Sequence, residues 1–219
     1  MKIAIDGPAG AGKSTIARRV AASLGYIYVD TGAMYRAMAL YLLRCGVAAD
    51  DAGSQAKACR SADISIRFEG GEQQVILNGE NVSALIRSEE VSRMASVSSA
   101  NPVIREKLVS LQRKLADETS VVMDGRDIGT VVLPDAELKI YLTASARVRA
   151  ERRFKEMAEK GALDGKTLEE IEASIIERDE RDMTRETSPL RRADDAHLVD
   201  SSAMTIEEVT AAILELIHG

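Results

Sequence analysis

The residues best equipped for chemistry stand at the start of the chain. Gly7, Pro8, Ala9, Gly10, Ala11, Gly12, Lys13 and Ser14 satisfy the pattern G-x-x-x-x-G-K-[ST] without a mismatch, and Thr15 follows directly. Glycines at these registers let the backbone curl so that its amide hydrogens converge on an anion, which the next helix's N-terminus also favours. Lys13 is expected to reach the β and γ phosphates of a bound anion, and Ser14 to ligate Mg2+ through its hydroxyl. A buried strand, Lys2 to Ile5, and a helix from Thr15 to Leu24 with Ile16, Val20 and Leu24 on one face give the motif its required setting.

Two further strand ends carry polar groups. Tyr26 to Val29 reads as a strand ending at Asp30, Thr31 and Gly32, before a helix that carries Tyr35 and Arg36. Asp30 and Thr31 suit a helix cap as well as a ligand, whereas an arginine in a helix's first turns opposes the dipole and points to a nearby anion. Val121 to Met123 ends in Asp124, Gly125, Arg126 and Asp127, and an acid in such a place often steadies the water shell of Mg2+. Near the end of the chain, Arg178, Arg181, Asp182 and Arg185 gather on one side of a helix opened by the capping box Thr167-Leu168-Glu169-Glu170. Glu177 with Arg181, and Arg178 with Asp182, also suit ordinary solvated i,i+4 pairs. Phosphoryl transfer calls for cations from outside the phosphate loop, and Arg152, Arg153, Arg191 and Arg192 flank the same region.

These residues need a scaffold, and the chain supplies one. Leu138 to Leu142 and His197 to Asp200 bring the core strands to five, alternating with helices, so an α/β fold with a parallel sheet is expected. Between Ile64 and Ile86 the pattern changes to three short antiparallel strands: Ile64 to Phe68, Gln74 to Leu77 and Val82 to Ile86. Helices are expected over Asp50 to Ala62, Glu89 to Ser99, Val103 to Asp117 and Ser145 to Lys160. The last helix starts at the capping box Thr205 to Glu208 and buries Ile206, Val209, Ile213 and Leu216. The helices either side of Gly161 to Gly165 form a movable lid.

Composition narrows the function. A chain of 219 residues makes one domain with insertions. A net charge of −6 and seven aromatics, none of them Trp, argue against a nucleic-acid polymer as partner. Met1 leads straight into the first strand and no window approaches 18 consecutive apolar residues, so a cytoplasmic protein with no membrane partner is expected. Nothing in the sequence calls for an oligomer, and a monomer is expected. Cys45 and Cys59 have no metal or redox spacing and read as reduced apolar residues.

Taken together, the motifs resemble the bacterial cytidylate kinases over essentially the whole chain. The resemblance rests on the ordered set Asp30-Thr31-Gly32-Ala33-Met34-Tyr35-Arg36, Asp124-Gly125-Arg126-Asp127-Ile128-Gly129-Thr130 and Glu177-Arg178-Asp179-Glu180-Arg181-Asp182. The three-stranded insertion is similar to that family's enlarged nucleoside monophosphate region; Thr31 stands where relatives often have Ser. The resemblance implies a phosphate-loop kinase with a core at about 1–30, 103–145 and 190–219, a monophosphate-binding region at 31–102 and a lid at 146–189. It implies that Ser96, Arg105 and Asp127 read the base, that Arg178 and Asp182 lie near the ribose with Arg185 completing the pocket, and that Arg36 and Arg126 hold the acceptor phosphate. Asp30, Thr31, Gly32, Tyr35, Asp124 and Gly125 complete the CMP site, while Lys13, Arg126, Arg178, Arg181 and Arg185 carry the catalysis. A carboxylate accepts from the N4 amino group of cytosine and repels O4 of uracil, which agrees with the role implied for Asp127. The expected substrates are ATP and CMP or dCMP, with Mg2+. Rival readings are a kinase for UMP, AMP or shikimate, and a nucleotide-dependent switch; the latter lacks an Asn-Lys-x-Asp guanine motif here.

Overall fold

A computed structural model describes residues 1–218. Strand alternation, with a period of two, explains how the sheet is covered. In β1 (Lys2–Asp6), Ile3 and Ile5 face one layer and Ala4 the other; β6 (Val121–Gly125), labelled by its place in chain order, sends Val122 to the first and Val121 and Met123 to the second. Both faces are therefore apolar, as a sheet sandwiched by helices requires.

The remaining core strands are β2 (Ile27–Asp30), β7 (Leu138–Thr143) and β8 (His197–Asp200), and every pairing in the order β2-β6-β1-β7-β8 is parallel. Helices α1 (Lys13–Leu24) and α8 (Ile206–His218) pack on one face. Helices α2 (Thr31–Arg44) and α5 (Pro102–Glu118) pack on the other, with α4 (Glu89–Ser98) laid across α2. Since all five strands run the same way, the carboxyl ends of β1, β2 and β6 open along one edge, where such folds bind ligands.

Helix α3 (Ala52–Ser61) leads into a small antiparallel sheet of β3 (Ile64–Glu69), β4 (Glu72–Leu77) and β5 (Glu80–Asn81). The third strand is shorter and earlier than the sequence suggests. Val82 makes one further bond to Val75 O (2.9 Å), after which Leu85–Arg87 turn into a 3-10 helix that buries Ile86. Helices α6 (Ala146–Glu159) and α7 (Leu168–Thr184) have their own small core of Ala150, Ile171 and Ile175, backed by Phe154, Met157, Leu163 and Leu168. Both expected capping boxes form, at Thr167 with Glu170 and at Thr205 with Glu208. The stripe of α8 runs through Val209 and Ile213 to Ile217, so Ile206 and Leu216, expected inside, stand 43% and 39% exposed at its margins. Among the described residues no helix is long and apolar enough to cross a membrane.

Candidate active site

The loop after β1 is shaped by its first glycine. Gly7 has φ +151°, and a Cβ there would lie 1.9 Å from the carbonyl oxygen of Leu142, so only glycine lets the chain leave the sheet beside β7. At the end of the loop Gly12 takes φ +85° and opens α1 without a side-chain cap, which leaves the first backbone N–H groups of the helix for an anion. Lys13 folds back and donates from Nζ to Pro8 O (2.7 Å). Burial, and then the repulsion of Arg126, push its ammonium down to about 7. A site that lowers a lysine in this way favours an anion beside it.

Asp124, at the end of β6, lies under this loop. Its Oδ2 accepts from Ser14 Oγ (2.9 Å), its Oδ1 from Tyr28 Oη (2.8 Å), and its backbone carbonyl from Thr31 Oγ1 (2.7 Å). The side chain thus faces the phosphate loop, while its peptide holds the first residue of α2. Burial and the nearby Asp30 raise its carboxyl, and burial followed by the Asp124 charge raises the Tyr28 hydroxyl. Ser14 and Asp124 form a hard-oxygen pair suited to Mg2+ that arrives with a nucleotide and keeps most of its ligands as phosphate and water.

Across from the loop the arginines converge. Asp30 caps α2 by accepting from Ala33 N (2.9 Å) and also holds Arg36 (2.9 Å), so the cap and the placement of Arg36 are one structure. Gln73 of β4 clasps the Asp30 backbone on both sides, accepting from its N–H (2.8 Å) and donating to its carbonyl (3.1 Å). Arg126 donates to Asp182 (2.9 Å), which displaces the i,i+4 pair expected between Arg178 and Asp182. Glu177 and Arg181 do pair (2.6 Å), and Arg181 also donates to Ser96 Oγ of α4 (3.1 Å). Arg105 and Asp127 form a buried ion pair, and Arg185 lies 3.9 Å from the same carboxylate. The ring of Tyr35 lies under Arg105. Arg152 and Arg153 turn elsewhere, to Ser201 and Glu156.

Some atoms of this cluster find no partner among the described residues. Tyr35 Oη, Arg36 Nε, Arg105 Nε, Arg178 Nε and Arg185 Nη2 are buried without a hydrogen bond. Burial and then Arg126 lower Arg178 to about 10; burial and then Arg105 lower Arg185. Burial raises Tyr35 to about 12. Buried donors left unpaired among like charges are costly unless an anion completes them.

Sequence reasoning missed several residues that build the site. Asp6, buried at the end of β1, accepts from Ile128 N (2.8 Å) and Gly129 N (2.7 Å) and fixes the loop that bears Asp127; burial drives its carboxyl up to about 6. Arg149 and Asp179 grip the phosphate loop from the lid side. A signal for Asp179 was present: it lies with Ile171, Ile175 and Asp182 on the buried stripe of α7, where an acid has no business without a partner. Gln73 left no signal, because its partner is a backbone far away in sequence.

Fold and site define a phosphate-loop kinase. A solved shikimate kinase from Bacteroides thetaiotaomicron shares the fold at a TM-score of 0.52 and 14% identity, covering 100% of this chain and 99% of that one. A model of the family described as "Cytidylate kinase" matches residues 3–219. Relatives named cytidylate kinase include one from Caldicellulosiruptor saccharolyticus, 51% identical over 100% of this chain and 96% of its own, and one from Geobacter sp. (strain M21), 48% identical over 94% and 88%. The chain belongs to the cytidylate kinase family and is a nucleoside monophosphate kinase.

Proposed function

We propose that the protein transfers the γ phosphate of Mg-ATP to the 5′ phosphate of CMP or dCMP, giving ADP and CDP or dCDP. The observation that carries this reading is the set of unpartnered, buried arginine and tyrosine atoms opposite the phosphate loop, which is a receptor for a second anionic nucleotide. The loop from Gly7 to Thr15 takes ATP. Arg36 and Arg126 take the acceptor phosphate, Arg178 and Asp182 the ribose, and Ser96, Arg105 and Asp127 the base, with Arg185 closing the pocket. Asp30, Thr31, Gly32, Tyr35, Asp124 and Gly125 line or brace it.

Mg2+ bound with ATP would neutralise charge on the phosphates, and Ser14 Oγ would be its side-chain ligand. The acceptor phosphate has a second pKa near about 6 and is ionised at neutral pH, so no general base is needed. Catalysis then consists of position and charge: Lys13 and Arg126 with the lid cations Arg178, Arg181 and Arg185 hold two mutually repelling anions in line, and α6 with α7 exclude competing water. Arg105 and Asp127 already neutralise each other, so their pocket can accept a neutral base that offers an acceptor to one and a donor to the other. Cytosine does this with O2 and N4. The lid spans 146–189 and the monophosphate region 31–102, and the enzyme acts as a cytoplasmic monomer.

The test is ADP formation from Mg-ATP with CMP, dCMP, UMP, AMP or shikimate offered separately. Turnover selective for CMP and dCMP is expected. Preference for another acceptor would discard the base-reading pocket, and hydrolysis without any acceptor would move the protein towards a nucleotide switch.

A further inference from the structure

Between the two nucleotide regions lies a buried ion pair that belongs to neither. Arg149, in the first turn of α6, and Asp179, on the buried stripe of α7, are 5% and 7% exposed and 2.7 Å apart. Both also hold the same residue of the phosphate loop. Ala9 N donates to Asp179 Oδ1 (3.3 Å), and Arg149 Nη1 donates to Ala9 O (2.8 Å). Arg149 Nε closes the arrangement on Ala144 O (2.8 Å), at the junction of β7 and α6. Gly10 sits against this clamp, its missing Cβ 3.4 Å from that of Arg149.

Ala9 is thus held at its N–H and at its carbonyl, which pins the peptide units on both sides of it. The planar, five-donor guanidinium is suited to three such acceptors at once, and a lysine is not. Elsewhere on the same helix, Arg178 lies within the arginine cluster and Asp182, one turn on from Asp179 along the buried stripe, is anchored by Arg126. One helix thus fixes the donor loop through Asp179 and addresses the acceptor side through Arg178 and Asp182.

We propose that Arg149 and Asp179 are positioning residues for the donor nucleotide: they set the phosphate loop in its anion-binding conformation and register it to the lid helix, without touching substrate. The inference rests on the reading of Gly7 to Thr15 as the ATP loop. Asp179→Asn keeps size and an acceptor for Ala9 N–H but leaves Arg149 without its anion, and Arg149→Lys keeps the charge but loses the fork. For each, the KM for ATP is expected to rise at least about tenfold while the KM for CMP at saturating ATP stays within about twofold, because the Asp182–Arg126 anchor is untouched. The two substitutions together are expected to cost little more than one, as members of a single unit do. If a single charge left in the interior prevents folding, Arg149→Met with Asp179→Leu removes both charges, and the same split in KM is expected.

An unchanged KM for ATP in a folded variant would overturn the proposal, as would equal losses for ATP and CMP, the mark of a merely structural pair. Titration of the wild-type chain with ATP alone separates the two levels. Wild-type binding with a selective defect in the variants supports the clamp; absence of ATP binding in the wild type would defeat the donor-loop reading and the clamp with it.

Discussion

Arg126 and Asp6 show how single side chains govern this site. Arg126 reaches Asp182 and also depresses Lys13 and Arg178, so it stands at the electrostatic centre of the cluster. Arg126→Ala is expected to lower kcat by roughly 100-fold, comparable to the loss of one charge-stabilising donor, with the fold retained by circular dichroism; near-normal turnover would remove it from catalysis. Asp6 gives a prediction in pH. Its pKa rises from 3.8 to about 6 on folding, so the folded state binds the extra proton between those values. The associated stability is complete below pH 3.8 and is lost as the pH rises through about 6. Two units correspond to about 3 kcal/mol. Asp6→Asn cannot titrate. Denaturant unfolding at pH 4 and pH 7 should therefore show the balance between wild type and Asp6→Asn moving against the wild type as the pH rises; a constant difference would contradict the assignment.

At the scale of elements, the turn from β1 into α1 makes unequal demands on its glycines. Gly7 is blocked by the Leu142 carbonyl, whereas a side chain at Gly12 would meet nothing within 4 Å and pay only for its left-handed backbone. Gly12→Ala should cost about 1–2 kcal/mol and Gly7→Ala distinctly more, because β1 and β7 would have to separate. Urea unfolding of the two variants measures the difference, and equal costs would contradict this account of the turn. The small sheet of β3, β4 and β5 contributes through one contact. Gln73 braces Asp30, Asp30 holds Arg36, and so an element outside the main sheet sets the aim of Arg36, the proposed ligand of the acceptor phosphate.

For the whole molecule, the governing fact is a group of cations crowded together beside the phosphate loop. Lys13, Arg178 and Arg185 are all pushed down by burial and by neighbouring cations. On the proposed function, the anionic substrates offset these cations. A non-hydrolysable ATP analogue or CMP, each at about 100 times its Kd, should add roughly 2.7 kcal/mol and raise the melting temperature by several degrees. Both together should exceed either alone, because they share the cations between them. A CMP-induced shift that is unaffected by Arg36→Ala would show that Arg36 does not hold the acceptor phosphate.

The sequence by itself determined the phosphate loop, the parallel α/β core and the family, since these rest on local spacing: glycines in register, apolar runs of strand length, and capping boxes. It also located the arginines on their elements. Tertiary structure decided what those arginines do to one another. Arg126 takes Asp182 from Arg178, Arg105 takes Asp127, Asp124 turns its carboxylate towards Ser14, and Asp6, Gln73, Arg149 and Asp179 become braces. Each of these contacts joins residues at least 22 positions apart, and most join residues more than 40 apart. No periodicity or spacing rule spans such a separation; only the packing of the sheet brings the partners within hydrogen-bond reach.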